Sequence, residues 1–321
     1  MIYISGFVIC GIIIFFAGRK LAFLGDQIAD ITGMGKGWVG LIILASITSL
    51  PELMVGISSS AIVESADLAV GDILGSCAFN LGILAMLDAF VPKHKPLFGL
   101  ASQNNILAAG LSIILMGMVG MALYLPAEIV IITGIGLASV SFIIIYFFSV
   151  WLIYKFGSQK EVTQLELPLQ QEYKEKPPLE TKLLPFIVFA LIITIAAILL
   201  PFFTSRIADD MGLDKTFAGT LFLAISTSLP EISVSIAAVK IGAIDLAVGN
   251  LLGSNLFNIL ILAIDDFFYT KGYLLKDASD VNILSCLATI IMTAIAIIGL
   301  TYRLETKRYW LAWDALLIFG I

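Results

Sequence analysis

Two identical pentapeptides, Thr-Ser-Leu-Pro-Glu, occupy residues 48–52 and 227–231. Each lies inside a long apolar stretch, so Glu52 and Glu231 are expected near the midplane of a membrane, where a charged carboxylate costs about 2.5 kcal/mol or more. The preceding Thr and Ser supply hydroxyl oxygens, and the proline leaves the carbonyl four residues earlier without its helical N–H. Such hard oxygen donors suit Na⁺ and Ca²⁺. The pattern predicts an intramembrane cation site and, less favoured, two plain helix kinks.

A second pair of segments, residues 71–80 and 249–258, places polar side chains four residues apart and therefore on one helical face. Glycines beside them favour close helix packing. We expect these helices to lie against the proline-broken ones and to offer four further oxygens to the same site, from Ser76, Asn80, Ser254 and Asn258. Ordinary interhelical hydrogen bonding is the alternative. Asp72 and Asn250 precede them by one turn, and we expect them in an aqueous entrance, with direct ligation by Asp72 less favoured.

The composition fits only a membrane-embedded setting for these motifs. Of the 321 residues, 60% are hydrophobic and 13% are charged, and the mean hydropathy is +1.04. A water-soluble enzyme could not cover its surface with so few polar groups. The net charge of −6 argues against nucleic-acid binding, and three Cys in apolar runs indicate buried thiols. The fold class is therefore an all-α polytopic membrane protein.

Apolar stretches of about 20 residues predict ten spanning helices. They fall near 2–24, 37–63, 66–92, 101–123, 126–154, 184–204, 216–240, 243–268, 280–301 and 309–321. The last is too short to cross a bilayer and is expected to be either an incomplete helix or a remnant of one. A polar stretch reads as a linker, which divides one transport domain into a first five-helix repeat (1–155), the linker (156–182) and a second repeat (183–321).

The two halves repeat one another in sequence. Gly25–Glu52 aligns without gaps on Thr204–Glu231, and the match continues through residue 80 and residue 258 after a one-residue slip. Fourteen Lys and Arg fall in the connections on one side and four on the other, which predicts an extracellular N-terminus and a cytoplasmic linker. Because each half has an odd number of spans, the repeats are predicted to be inverted, as in many secondary transporters.

The doubled TSLPE segments, each followed by GS-x-x-F-N, resemble the α-repeats of the sodium/calcium exchanger family, in its prokaryotic type. The resemblance implies ten helices around a central cluster of four cation sites. It also implies cation ligands from the side chains of Thr48, Ser49, Glu52, Ser76, Asn80, Thr227, Ser228, Glu231, Ser254 and Asn258, and from the carbonyls of Ala45 and Ala224. This chain departs from the family in having Asn at both 80 and 258, which argues against the potassium-dependent branch, and Cys77 in place of the usual Asn.

These observations predict an antiporter that exchanges Na⁺ for Ca²⁺ by alternating access. One Ca²⁺ neutralises Glu52 and Glu231 as two Na⁺ would, and a third Na⁺ would make the exchange electrogenic. Ca²⁺/H⁺ antiport is the first alternative, and a cation channel and an intramembrane hydrolase are further ones. We expect no enzyme activity, no cofactor besides the transported ions, no nucleic-acid partner, and a place in the lipid bilayer of the cell membrane. Asp88, Asp265 and Asp266 are expected to be solvated at helix ends.

Overall fold

The chain is built almost entirely from helices that an apolar composition favours in a bilayer, where every backbone group must be paired within its own segment. A computed structural model describes residues 2–92, 94–125, 130–132, 135–164, 178–210, 224–307 and 310–321. The first half contains helices α1 (Ile2–Thr32), α2 (Lys36–Trp38), a π-helix (Val39–Leu44), α3 (Ala45–Thr48), α4 (Leu50–Ala61), α5 (Ala66–Leu87), a 3₁₀ turn (Asp88–Phe90), α6 (Leu97–Leu100) and α7 (Asn104–Tyr124).

The remaining elements begin with a two-stranded antiparallel ribbon, β1 (Val130–Ile132) and β2 (Ile135–Gly136), in which Val130 lies opposite Gly136. The helices that follow are α8 (Leu137–Gln164), α9 (Glu180–Asp210), α10 (Leu229–Lys240), α11 (Ile244–Phe268), α12 (Leu274–Asp277), α13 (Asn282–Tyr302) and α14 (Trp313–Gly320). Residues 224–227 form a further helical turn before α10.

Seven helices among the described residues are long and apolar enough to cross a membrane, and an eighth span results if the bent pair 36–48 and 50–61 counts as one. Their outward faces carry large exposed apolar side chains, such as Phe16 on α1, Phe147 on α8 and Leu184 on α9. An exposed apolar band of this kind fits a lipid-facing surface. The predicted α-helical membrane fold class is thus confirmed, with one short ribbon added, whereas the count of ten helices stays a prediction.

The predicted helix 37–63 is broken where its proline sits. Its two parts meet at Ser49 with a bend of 43°, because Pro51 cannot continue the hydrogen-bond ladder. Ahead of the break, Val39–Leu44 winds as a π-helix, a form often found at functional sites. The break and the π-helix turn the residues before Glu52 toward the centre of the molecule.

The predicted boundaries of three helices are wrong, and the first of these helices, expected over 2–24, continues to Thr32. The helix expected over 126–154 begins only at Leu137, because the β-branched run Val130–Ile132 forms the ribbon instead. It then runs to Gln164, into the predicted linker 156–182, of which residues 165–177 lie outside the described part. The helix expected over 184–204 extends over Glu180–Asp210.

Helix α11 forms the centre of the packing, in contact with the π-helix, α4, α5, α7 and α8. Two of its glycines face the main chain of the first half. A Cβ on Gly249 or Gly253 would overlap the carbonyl of Gly37 or Leu41, so the two main chains touch only because these residues lack side chains. For the equivalent Gly75 of α5, no described atom lies within 4 Å of such a Cβ.

Candidate cation-binding site

The two TSLPE segments adopt the same backbone turn. Ser49 has φ −88° and ψ 10°, and Ser228 has φ −84° and ψ 4°. Each serine N–H donates to the alanine four residues earlier, at 3.0 Å for Ala45 and 3.2 Å for Ala224. The hydroxyls of Thr48 and Thr227 donate to the same two carbonyls, at 3.3 and 3.0 Å. The sequence repeat therefore produces one local structure twice, with its polar groups turned inward.

The two glutamates lie at the centre, each only 1% exposed. The carboxylate of Glu231 accepts hydrogen bonds at Oε1 from Ser49 (3.1 Å), in the opposite half, and from Ser254 (3.4 Å). Glu52 lies within electrostatic reach of Glu231 and of Asp72, and Thr227 hydrogen-bonds to it from the other half. Hydroxyls from each half thus hold the carboxylate of the other.

Several buried oxygens around these glutamates have no hydrogen-bond partner among the described residues. They are Oε2 of Glu52 and Glu231, Oγ of Ser76 and Ser228, and Oδ1 of Asn80 and Asn258. A buried polar atom without a partner is costly, and cations bound among these oxygens would supply the missing partners. Carboxylate, hydroxyl and amide oxygens are the ligands that Ca²⁺ takes, so the donor set fits Na⁺ and Ca²⁺ as transported substrates.

An amide that the sequence analysis did not single out joins the halves across this site. Asn255, the repeat counterpart of Cys77, donates through Nδ2 to the Cys77 carbonyl at 3.1 Å and accepts at Oδ1 from Asn80 Nδ2 at 3.1 Å. Asn258 Nδ2 lies 3.7 Å from the Cys77 sulfur. The sequence did contain a sign of this contact, because Cys77 and Asn255 differ at matching positions of two otherwise similar segments. These contacts orient the amide oxygens of Asn80 and Asn258.

The two residues expected in the entrance differ in their surroundings. Asn250 is fully buried, donates to Ser235 Oγ at 3.1 Å, and lies 3.4 Å from the Thr48 hydroxyl. Asp72 instead lines a cavity of about 1130 Å³ together with Pro51, Gly75 and Ala224. Asp67 and Arg206 also line this cavity, which therefore extends from Pro51 toward the side where α4 ends and α5 begins. A part in ion passage for Asp72 and Asn250 stays a prediction.

The expectation that the three aspartates at helix ends are solvated is wrong, because Asp88 and Asp266 are 2% exposed and Asp265 is fully buried. Asp88 accepts hydrogen bonds from the Leu97 and Ala312 N–H groups, both at 2.7 Å, and pairs with buried Lys307 at 3.3 Å. Asp266, its repeat counterpart, accepts from Leu274 N–H (2.8 Å) and Ser139 Oγ (2.6 Å). Each carboxylate thus binds the first N–H of a short helix that follows it, Leu97 of α6 or Leu274 of α12, to the end of α5 or α11.

Comparison with known proteins places this geometry in a family. The family model described as "Sodium/calcium exchanger protein" matches residues 2–155 and 181–321. Inner membrane protein YrbG of Escherichia coli is 27% identical over 293 residues, which are 85% of each chain. Sodium/calcium exchanger MaX1 of Methanosarcina acetivorans is 38% identical over 88 residues, 26% of this chain and 25% of that protein.

A solved structure of the sodium-calcium exchanger NCX_Mj shares the fold, with a TM-score of 0.74 at 21% identity over 100% of this chain and 96% of that one. The match to the family model covers both halves and the whole site described above. The chain therefore belongs to the sodium/calcium exchanger family and is an integral membrane cation/Ca²⁺ antiporter.

Proposed function

We propose that this antiporter exchanges Na⁺ for Ca²⁺ at one central site that alternates between the two sides of the membrane. The observation that carries the proposal is the pair of buried glutamates whose Oε2 atoms have no partner among the described residues. Among the described residues, the groups that act on these glutamates are hydroxyls, backbone amides and other carboxylates, and we propose that the transported cations balance their negative charge. We propose as ligands the twelve residues that the resemblance implies.

The charge of the centre explains why the two ions exclude each other. Glu52 and Glu231 carry two negative charges when ionised, which one Ca²⁺ or two Na⁺ neutralise. Both ions need the same carboxylate oxygens, so one must leave before the other binds. Any additional Na⁺ bound among the Asn80 and Asn258 oxygens adds uncompensated charge, and the exchange then moves net charge across the membrane.

We further propose that the protein resides in the cell membrane with its N-terminus outside and residues 156–182 in the cytoplasm. In that orientation the cavity beside Asp72 opens to the exterior, and the described conformation admits ions from there. The large excess of Lys and Arg in the connections assigned to the cytoplasm supports this orientation. Cysteine substitution of exposed Val63, near the cavity mouth, tests it by labelling with a membrane-impermeant thiol reagent. Labelling from the cell exterior is expected, and labelling only after permeabilisation contradicts it.

The transport proposal is tested by Ca²⁺ uptake into proteoliposomes loaded with Na⁺ and diluted into Na⁺-free buffer. Uptake is expected to need internal Na⁺ and to vanish in Glu52→Gln and Glu231→Gln. Glu64→Gln is the matched control, because Glu64 lies in a surface loop and pairs with Lys271 at 3.1 Å. This variant should transport like the wild type.

Two other outcomes would replace the proposal. Uptake driven by a proton gradient without regard to Na⁺ would assign Ca²⁺/H⁺ antiport. Ca²⁺ flux that runs without any counter-ion, at rates that exceed those of carriers, would instead indicate a channel. Hydrolysis has no support of this kind, since Ser49 donates to Glu231 and no His lies among the site residues.

A further inference from the structure

The contacts that orient the amides of Asn80 and Asn258 differ in strength between the two halves. Asn80 of α5 corresponds to Asn258 of α11 in the repeat, and Cys77 corresponds to Asn255. All four side chains are buried. An exact repeat would hold the two amides in the same way, but here a thiol lies at the position where the other half has a third amide.

The amide of Asn80 is fixed by a chain of two hydrogen bonds. Asn80 Nδ2 donates to Oδ1 of Asn255 at 3.1 Å, and Asn255 Nδ2 donates in turn to the main-chain carbonyl of Cys77, also at 3.1 Å. Because the Cys77 carbonyl can only accept, the Asn255 amide must turn its NH₂ group toward it and its oxygen toward Asn80. A reversed Asn80 amide would bring two carbonyl oxygens together. Oδ1 of Asn80, which has no partner among the described residues, is therefore held in one place.

The amide of Asn258 contacts a thiol instead. Its Nδ2 lies 3.7 Å from the sulfur of Cys77, and the Cys77 thiol donates to the Asn255 carbonyl at 3.9 Å. Sulfur is a weak acceptor and S–H is a weak donor, so each of these contacts is weaker than its amide counterpart in the other half. The thiol therefore imposes little preference on the orientation of the Asn258 amide, whose Oδ1 is also buried without a partner in the described structure.

This difference matters most for a cation that has no carboxylate of its own. Glu52 and Glu231 balance one Ca²⁺ or two Na⁺, and any further Na⁺ depends on neutral oxygens such as those of the two amides. A cation binds more tightly to an oxygen that is already oriented, because less side-chain freedom is lost on binding. The oxygen of Asn80 meets this condition, and the oxygen of Asn258 does not.

We propose that Cys77 is a positioning residue that determines the ion specificity of the site, because it leaves the Asn258 amide loosely held and so weakens the binding of Na⁺ relative to Ca²⁺. The inference rests on the proposed function, in which Asn80 and Asn258 are cation ligands. Cys77 itself binds no ion in this account. Its main-chain carbonyl fixes Asn80 through Asn255 while its thiol holds Asn258 weakly, so one residue makes the two amide positions unequal.

Separate Na⁺ and Ca²⁺ titrations of the purified full-length protein, at constant ionic strength and followed by the rise in Tm, test this role. In Cys77→Asn, the new amide can donate to the Asn255 carbonyl and accept from Asn258 Nδ2, as Asn255 does for Asn80. The apparent Kd for Na⁺ should fall about two- to tenfold, the effect of one neutral hydrogen bond, and the apparent Kd for Ca²⁺ should change by less. Cys10→Ser is the control and should match the wild type, because this buried cysteine of α1 forms no hydrogen bond with a site residue in the described structure.

Exchanging the two residues separates a positioning role from a loss of packing. Asn255→Cys alone leaves both ligand amides against a thiol and should weaken Na⁺ binding by a similar factor. The double variant, Cys77→Asn with Asn255→Cys, again has one fixed and one loosely held amide, now in opposite halves, and should bind Na⁺ like the wild type. A packing defect would instead make the double variant worse than either single variant.

Four results decide the outcome. An unchanged Na⁺ Kd in folded Cys77→Asn, a Ca²⁺ Kd that shifts as far as the Na⁺ Kd, or a double variant that binds Na⁺ more weakly than Asn255→Cys overturns the inference. If Cys77→Asn does not fold, Cys77→Ser replaces it, because a hydroxyl oxygen accepts more strongly than sulfur and should also tighten Na⁺ binding. A wild type that Na⁺ does not stabilise contradicts the proposed Na⁺/Ca²⁺ exchange itself, whereas a stabilised wild type with unchanged variants contradicts only the role of Cys77.

Discussion

Replacing Glu231 by Gln removes one of the two central charges while leaving the shape of the site. The new side chain keeps an oxygen that can accept from Ser49 and Ser254, but its second oxygen becomes an amide NH₂ that repels a cation. Loss of one partner from a buried charge interaction costs about 3 kcal/mol at the low end. Since about 1.4 kcal/mol is tenfold in affinity, Ca²⁺ should bind roughly a hundredfold more weakly.

Thermal unfolding in detergent with and without Ca²⁺ measures this loss. At a Ca²⁺ concentration one hundred times the wild-type Kd, binding stabilises the folded protein by about 2.7 kcal/mol. A hundredfold weaker variant is then half-saturated and gains only about 0.4 kcal/mol. The Ca²⁺-induced rise in Tm should therefore nearly disappear in Glu231→Gln.

The ion-free proteins supply the internal control for that experiment. Without Ca²⁺, Glu231→Gln should unfold at or above the wild-type temperature, because a buried charge with an unpaired oxygen has been removed. Glu64→Gln should keep the full Ca²⁺ response. A Glu231→Gln protein that is folded and stabilised by Ca²⁺ as strongly as the wild type would refute the assignment of the central site.

Two further substitutions probe the packing that surrounds the site. Gly253→Ala should lower the Tm markedly, because the new Cβ would overlap the Leu41 carbonyl. Gly75→Ala should leave the Tm nearly unchanged, because no described atom lies within 4 Å of its Cβ. Thermal unfolding of the two variants compares them. Lys307→Met should destabilise the protein by about 3–5 kcal/mol, because it leaves Asp88 buried without its cation, and denaturant unfolding measures this. An unchanged midpoint in either destabilised variant would contradict the contact assigned to it.

The structure was predictable from the sequence wherever the chemistry of a single residue type determines the local backbone. Proline forbids the helical hydrogen bond, so the break beside Pro51 was predictable, and it appears at Ser49. Four-residue spacing likewise placed Ser254 beside Glu231. Length and apolarity located the spans but not their ends. Val130–Ile132 and Ile135–Gly136 form a ribbon that hydropathy alone does not distinguish from helix.

Features that depend on distant partners were not predictable. Asp88 looked like a solvated helix end until its partners, Lys307 and the Ala312 N–H, were brought to it from more than two hundred residues away. The burial of Asp265 depends on Gly56, a distant residue without a side chain, against which its carboxylate packs. Asn255 was passed over because its counterpart in the repeat is Cys77, and the hydrogen bonds between them appear only when α5 meets α11.

The contact of α11 with the π-helix segment also bears on how an ion gradient is preserved. At Gly249 and Gly253 the two main chains touch, and a hydrated ion or a file of water molecules cannot pass between them. Ions in the cavity beside Asp72 therefore have no route onward between these two segments. A carrier that leaked even rarely at channel rates would dissipate the gradient that drives it. Gly249 and Gly253 carry no functional group, yet the close packing that they allow blocks a leak of ions between the two segments. The gradient of one ion can then drive the transport of the other.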